Sequence, residues 1–222
     1  MGIRERKERE KERRRQQIIV AAKRVFSDKG YNRTTMEDIA KEAELSSGTL
    51  YLYFKNKEEL FASLSLRILQ YLLIRLEEVT AQNADSAHEK LNMLREAMFD
   101  VYAFDPVAII NMFHLQSSET LKNLSPPLMS EFNNLSTKAM QVFARIFEEG
   151  ARQGLFVKSH PMMIADVFWS TFSGVVLWEA SKRSIDAKKD FLKETLTFAF
   201  DIFERGITSK RGSSKRGSHL NY

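Results

Sequence analysis

The chain has 222 residues, no cysteine and a formal net charge of +5. That length accommodates a small domain and a larger one, and without cysteine there is neither a disulfide framework nor a thiolate metal site. No apolar run approaches the length of a membrane span, and the densely charged start lacks the apolar stretch of a signal peptide, so a cytoplasmic protein without membrane contact is expected.

Charge is unevenly placed. Residues 1–60 hold 15 Lys and Arg against 11 Asp and Glu, and residues 206–222 hold Lys210, Arg211, Lys215 and Arg216 with no acid. Basic ends around a mildly acidic middle suit contact with nucleic acid at one end of the molecule. The four histidines, His88, His114, His160 and His219, include no i,i+4 pair. There is also no glycine-rich phosphate loop and no nucleophile elbow. No catalytic residue, metal or cofactor is therefore expected.

Residues 1–14 form a charged arm in which Arg4, Arg6, Lys7, Arg9, Lys11, Arg13 and Arg14 alternate with Glu5, Glu8, Glu10 and Glu12. Its i,i+3 and i,i+4 charge pairs allow it to extend the first helix. It reads as a solvated helix end, as an arm that follows DNA phosphates or enters the minor groove, or as a segment drawn to an anionic membrane, for which it lacks bulky apolar residues. Behind it, Ile18, Ile19, Ala22, Val25 and Phe26 make an apolar stripe, and Gly30 stops the helix. Tyr31 is expected to pack into a small three-helix core.

Next come two short helices and a tight turn. Thr35 occupies an N-cap position, with Asp38 three residues on to complete a capping box. Met36, Ile39, Ala40 and Ala43 give one apolar face. Leu45 is the apolar residue of the turn. Ser46 or Ser47 then caps a second helix running to about Phe54, whose Leu50 and Phe54 face inward. Ser47, Gly48, Thr49, Tyr51 and Tyr53 are left for other faces, and Lys57 opens the following helix. Small hydroxyls and a glycine at a helix start let the backbone approach phosphates or base edges closely. This is the layout of a helix-turn-helix that reads a DNA groove. The candidate DNA contacts are Thr35, Ser46, Ser47, Gly48, Thr49, Tyr51, Tyr53 and Lys57.

From about Arg15 to Leu60 the sequence resembles the tetracycline-repressor (TetR) family of bacterial transcription regulators. The matching positions include Ala21-Ala22, Phe26, Lys29-Gly30-Tyr31, Thr34-Thr35, Asp38-Ile39-Ala40, Ala43, Leu45-Ser46, Gly48-Thr49-Leu50-Tyr51, Tyr53-Phe54 and Lys57-Glu58-Glu59-Leu60. Two positions depart from the family pattern: Glu44 stands where glycine is common in the turn, and Ser47 where lysine or another polar residue is common.

Beyond Lys57 the pattern stays helical. One long helix is expected over about 57–81, a loop over Gln82–Ser86, and helices near 87–104, 107–118, 127–153, 161–182 and 188–207. Pro106, Pro126-Pro127 and Pro161 mark starts, and Gly154 marks a stop. The expectation is an all-α chain of about nine helices. A helix-turn-helix domain at 15–60 precedes a ligand-binding and dimerisation domain at 61–207. A short Lys-Arg-Gly-Ser repeat makes a disordered basic tail at 208–222.

The helix near 161–182 is apolar almost all round, so one domain core covers only part of it. The last helix is similarly rich. The two are expected to pair with their copies in a homodimer, through Phe168, Val175, Trp178, Leu196, Phe200 and Phe203. The middle helices are crowded with Met and Phe, which taken singly read as core packing and together suit an adaptable apolar cavity. The family resemblance implies such a cavity for a small apolar effector, of fatty-acid or acyl-CoA type in one branch. Its candidate lining is Phe104, Met112, Phe113, His114, Phe132, Trp169 and Phe172. The resemblance further implies a repressor that binds palindromic operator DNA as a homodimer and is released by its effector.

Overall fold

The computed structural model describes residues 2–82, 84, 86–116, 121, 124–186, 188 and 190–209. The tail from 210 onward, with its Lys-Arg-Gly-Ser repeat, lies outside the described residues, as do positions 117 and 118 of the expected helix. The described residues form nine helices: α1 (Ile3–Lys29), α2 (Met36–Glu42), α3 (Ser47–Tyr51), α4 (Lys57–Ala81), α5 (Ala87–Phe104), α6 (Pro106–Gln116), α7 (Pro126–Arg152), α8 (Pro161–Ile185) and α9 (Leu192–Ile207). Their only extended pairing is an isolated bridge between Phe156 and Thr208. The fold is all-α, as the sequence predicts, and each expected proline opens a helix.

Several boundaries differ, and α8 runs on to Ile185 instead of stopping near 182. The first helix reaches back to Ile3, because nothing in the arm breaks it. The second helix of the motif stops at Tyr51 instead of Phe54. Its last turn tightens, with the Tyr53 and Phe54 N–H groups both donating to the Leu50 carbonyl at 3.0 and 3.1 Å. The last helix begins at Leu192 instead of 188.

The chain forms two compact units that interleave in sequence. One holds Met1–Ile68 with Val107–Phe132, the other Leu69–Pro106 with Asn133–Tyr222. Helices α4 and α7 each pass from one unit into the other.

In the first unit, Ile18, Ile19, Ala22, Val25 and Phe26 of α1 are buried, together with Ile39, Ala40, Leu50, Phe54, Leu60 and Phe61. Tyr31 joins Phe26 and Phe61, its ring centroid 5.8 and 4.5 Å from theirs. Gly30 has φ of 74°, a conformation that favours glycine, and its N–H donates to the Phe26 carbonyl at 2.9 Å to close α1. Met112, Phe113 and Phe132 are buried and belong to the same unit.

The second unit is built round phenylalanine. Phe168 stacks on Phe200 at 5.1 Å and meets Phe143, Phe147 and Phe203 at 5.3 to 5.8 Å. Phe156 lies directly over Gly150 of α7, where a Cβ would overlap its ring. After Gly154 the chain returns along the end of α9: the Val157 N–H donates to the Ile207 carbonyl at 2.7 Å. Arg95 of α5 pairs with Asp201 and Glu204 of α9, and His88 Nδ1 lies 3.0 Å from Glu204 Oε1. Glu179 is buried on α8. Burial pushes its carboxyl up, but Lys182 and the Thr195 hydroxyl more than offset this and hold it below the usual carboxylate range.

Helix α8 stands out in composition and in burial. By length and composition it could cross a membrane, with a mean hydropathy of 1.2 over an 18-residue stretch, although no uninterrupted apolar run is that long. Its interruptions are mostly small, such as Ser170, Thr171, Ser173 and Gly174, so the average stays high. As expected, the chain's own core covers only part of it: 28% of that stretch is buried. Phe168, Phe172 and Val176 face the core while Met163, Val167 and Trp178 are more than half exposed.

Gly150→Ala is expected to lower stability by about 1–3 kcal/mol, because the added methyl must displace a fully buried ring. Urea denaturation measures the loss.

Candidate nucleic-acid interface

Helix α2 begins as a capping box. The Asp38 N–H donates to Thr35 Oγ1 at 3.1 Å, and the Thr35 N–H donates to Asp38 Oδ2 at 3.0 Å. Lys29 Nζ lies 2.6 Å from Asp38 Oδ1 and ties the end of α1 to the start of α2. The ammonium of Lys29 first, then the bonds with Thr35, bring the Asp38 pKa down to about 2. The helix ends in a Schellman-type turn: Leu45 N–H donates to the Ala40 carbonyl at 2.9 Å and Glu44 N–H to the Lys41 carbonyl at 3.1 Å. Glu44 sits at its left-handed position with φ of 55°. The turn therefore keeps the geometry glycine would give, at a cost of roughly 1–2 kcal/mol for the non-glycine residue.

Helix α3 is capped by Ser46, whose Oγ accepts from the Thr49 N–H at 3.1 Å and lies 2.9 Å from the Thr49 hydroxyl. Leu50 is completely buried and fixes the helix on the core. The opposite side carries Gly48 and Tyr51, both exposed, with Ser47 half-buried beside them. A Cβ on Gly48 would meet only Ser46 Oγ, at 4.0 Å. Packing within the chain therefore does not require glycine there. Its bareness leaves room for an outside surface to come close to the helix backbone.

The expected DNA contacts separate into two groups. Gly48 and Tyr51 are exposed, and Ser47, Thr49 and Tyr53 are half-buried. Thr35 and Ser46 are exposed but serve as helix caps. Lys57 is otherwise engaged. Its ammonium donates to the carbonyls of Tyr31 and Thr34 at 2.9 and 3.0 Å and lies 4.4 Å from the centre of the Tyr31 ring. Two of its three donors thus hold the loop before α2 against the first turn of α4. The Tyr31 hydroxyl in turn donates to Glu58 at 2.9 Å, and burial, then that carboxylate, push its pKa up. Lys55 is the exposed lysine of the segment, and Leu52, at 80% exposure, extends the open surface beyond Tyr51. Neither Lys55 nor Leu52 is among the contacts expected from the sequence. The signal was the helix start at Lys57, which turns that side chain back toward the Tyr31 loop and leaves Lys55 outside.

The expected effector lining falls in both units. Met112, Phe113 and Phe132 are buried in the first, where His114 is exposed. In the second, Phe172 is buried and Trp169 half-buried, 5.8 Å apart. Phe104 is 46% exposed and stacks on Tyr71 at 4.1 Å, so it stands at that unit's surface and not in a closed wall. Of the expected interface residues, Phe168, Leu196, Phe200 and Phe203 lie in the chain's own core, because the helical period turns them inward. Val175 is half-buried and Trp178 exposed. The outward apolar side chains are Met163, Val167, Trp178 and the terminal Ile185 on α8 and Phe198 and Ile202 on α9.

A capped support helix, a tight left-handed turn and a short second helix with a bare outer face define a helix-turn-helix transcription regulator. The sequence pattern of "Bacterial regulatory proteins, tetR family" matches residues 18–64. The chain is 30% identical over 173 residues to the fatty acid metabolism regulator protein of Bacillus subtilis (strain 168), covering 77% of this chain and 86% of that one. It belongs to the tetR family of bacterial regulatory proteins and is not an enzyme. The fold is shared with the regulator PfmR from Thermus thermophilus, with a TM-score of 0.68 at 23% identity over 85% of this chain and 97% of that one. It is also shared with FadR from Bacillus subtilis in complex with stearoyl-CoA, with a TM-score of 0.65 at 23% identity over 86% and 98%.

Lys57→Met is expected to lower the stability of the helix-turn-helix by about 1.5–3 kcal/mol, the range for hydrogen bonds to a charged group. Chemical denaturation followed at Tyr31 measures it; unaltered stability together with weakened DNA binding would return Lys57 to a phosphate-contact role.

Proposed function

We propose that the protein is a homodimeric repressor that binds a palindromic operator and is released by a small apolar effector of fatty acyl-CoA type. One observation carries the dimer: α8 and α9 each keep a buried face and leave Met163, Val167, Trp178, Phe198 and Ile202 exposed on the other. Exposed apolar area of this kind marks a protein interface. Two helices from each of two chains would cover it as a four-helix seam. A two-fold axis through that seam presents two copies of α3 to successive major grooves, ~34 Å apart.

The effector reading rests on composition and on relatives. Met and Phe crowd α5, α6 and α7, a composition that suits an adaptable site for an apolar guest. The Bacillus subtilis relative is named for fatty acid metabolism, and a fold neighbour holds stearoyl-CoA. Helix α6 belongs to the same compact unit as the helix-turn-helix. A guest that touches α6 therefore acts on the body that carries α3. Release requires that the guest bind one head spacing better than the other.

Wild-type protein is expected to sediment as two chains of 25.7 kDa each, and Val167→Asp/Trp178→Asp as one. Long-chain acyl-CoA at a hundredfold excess over its dissociation constant should stabilise the wild type by about 2.7 kcal/mol and release operator in a gel-shift assay. A monomeric wild type removes the seam. Operator binding that is indifferent to acyl-CoA leaves a constitutive DNA-binding dimer.

A further inference from the structure

Helix α1 runs unbroken from Ile3 to Lys29, yet its core-facing residues begin only at Ile18. At 3.6 residues per turn, Arg4, Lys7, Lys11, Arg14 and Arg15 fall within about 100° of arc. That arc is centred on the same side of the helix as Ile18, Ala22 and Val25. The side that is apolar and buried in the second half is thus basic and open in the first. Arg6, Arg9 and Arg13 lie on roughly the opposite side, and Glu5, Glu8 and Glu12 between the two.

Arg15 marks the changeover. Its guanidinium lies 5.1 Å from the centre of the Phe54 ring and 3.2 Å from Ser63 Oγ. It shares a cavity of about 240 Å³ with Tyr53. The basic stripe therefore leaves the core beside the segment that follows α3. Every residue from Arg4 to Arg13 is exposed. Among the described residues, no Lys or Arg from Arg4 to Arg13 has a carboxylate partner, on either face, so the faces differ in helical phase and not in pairing.

We infer that the first three turns of α1 are a rigid second DNA-contacting element. Arg4, Lys7 and Lys11 lie along the phosphates that flank the half-site read by α3. This rests on the helix-turn-helix reading above and adds a partner surface to it. The stripe spans ~16 Å from Arg4 to Arg15 at 1.5 Å per residue. Its charges recur every turn or less, close enough to meet successive phosphates of one strand.

The test compares two triple variants with the same charge loss: R4Q/K7Q/K11Q on the stripe and R6Q/R9Q/R13Q on the far side. Each is titrated against an operator duplex selected by the wild type, once trimmed to the half-sites and once with a helical turn of flanking DNA on each side. The stripe variant should lose at least tenfold affinity for the flanked duplex and bind it no better than the trimmed one. Its log–log salt slope should fall by about 2.7 per bound chain, at about 0.9 per phosphate. The far-side variant should keep the flank gain. Equal losses in both variants reduce the effect to net charge and overturn the proposal. Unchanged binding in both removes the arm from the interface. Stripe-dependent binding to phosphatidylserine vesicles, with duplex binding untouched, assigns the stripe to a lipid surface instead. Tyr51→Ala keeps the two readings apart. If it abolishes binding to the trimmed duplex while the stripe variant behaves as wild type, the stripe alone fails. If the wild type selects no duplex, the helix-turn-helix reading fails and the stripe falls with it. Circular dichroism confirms that each variant keeps its helix content.

Discussion

The ammonium of Lys57 is the point on which the reading head depends. It lies at the first residue of α4 and holds the carbonyls of Tyr31 and Thr34, with the Tyr31 ring beneath it. Those carbonyls end the loop between α1 and the capping box of α2. One charged group thereby fixes the start of the motif to the helix that continues out of the first unit. Thr35, Asp38 and Lys29 then secure α2, and Leu50 secures α3 against the core. Charge-assisted bonds of this kind are shorter and stronger than neutral ones, so the motif can behave as one body.

Most of the helical framework was legible in the sequence. Proline at the first helical position and glycine after the last are local rules, and Pro106, Pro126, Pro161 and Gly30 follow them. The capping boxes are equally local, and Thr35 with Asp38 forms as expected. The site was legible only in part. Tyr51 and Gly48 stand outward, as helical phase predicts. Lys57 turned inward because its partners, two backbone carbonyls at sequence distances of 26 and 23, leave no trace in composition. Glu44 adopts the left-handed turn that glycine would favour, because the Schellman hydrogen bonds and the buried Leu50 beyond it over-determine the local backbone.

The C-terminal helices show the limit from the other side. Counting apolar residues in α8 signals excess but does not say which residues serve the chain's own core. Phe168, Phe200 and Phe203 looked like interface and became an aromatic core. Val167, Ile202 and Phe198, one position away or less than a turn away, became the surface. A shift of one residue is 100° of helix phase, and only packing decides it. The apolar excess therefore has two uses on one pair of helices, a core within the chain and a face outside it.

Together, a stiff head and an unpaired apolar face support the proposal that the protein reads DNA twice through two-fold symmetry. Selection of bound duplexes from a random pool tests that claim most directly. The account predicts a palindrome whose half-sites are centred one helical turn apart, or a small multiple of it. A single unrepeated half-site, or half-sites with no fixed spacing, would contradict it.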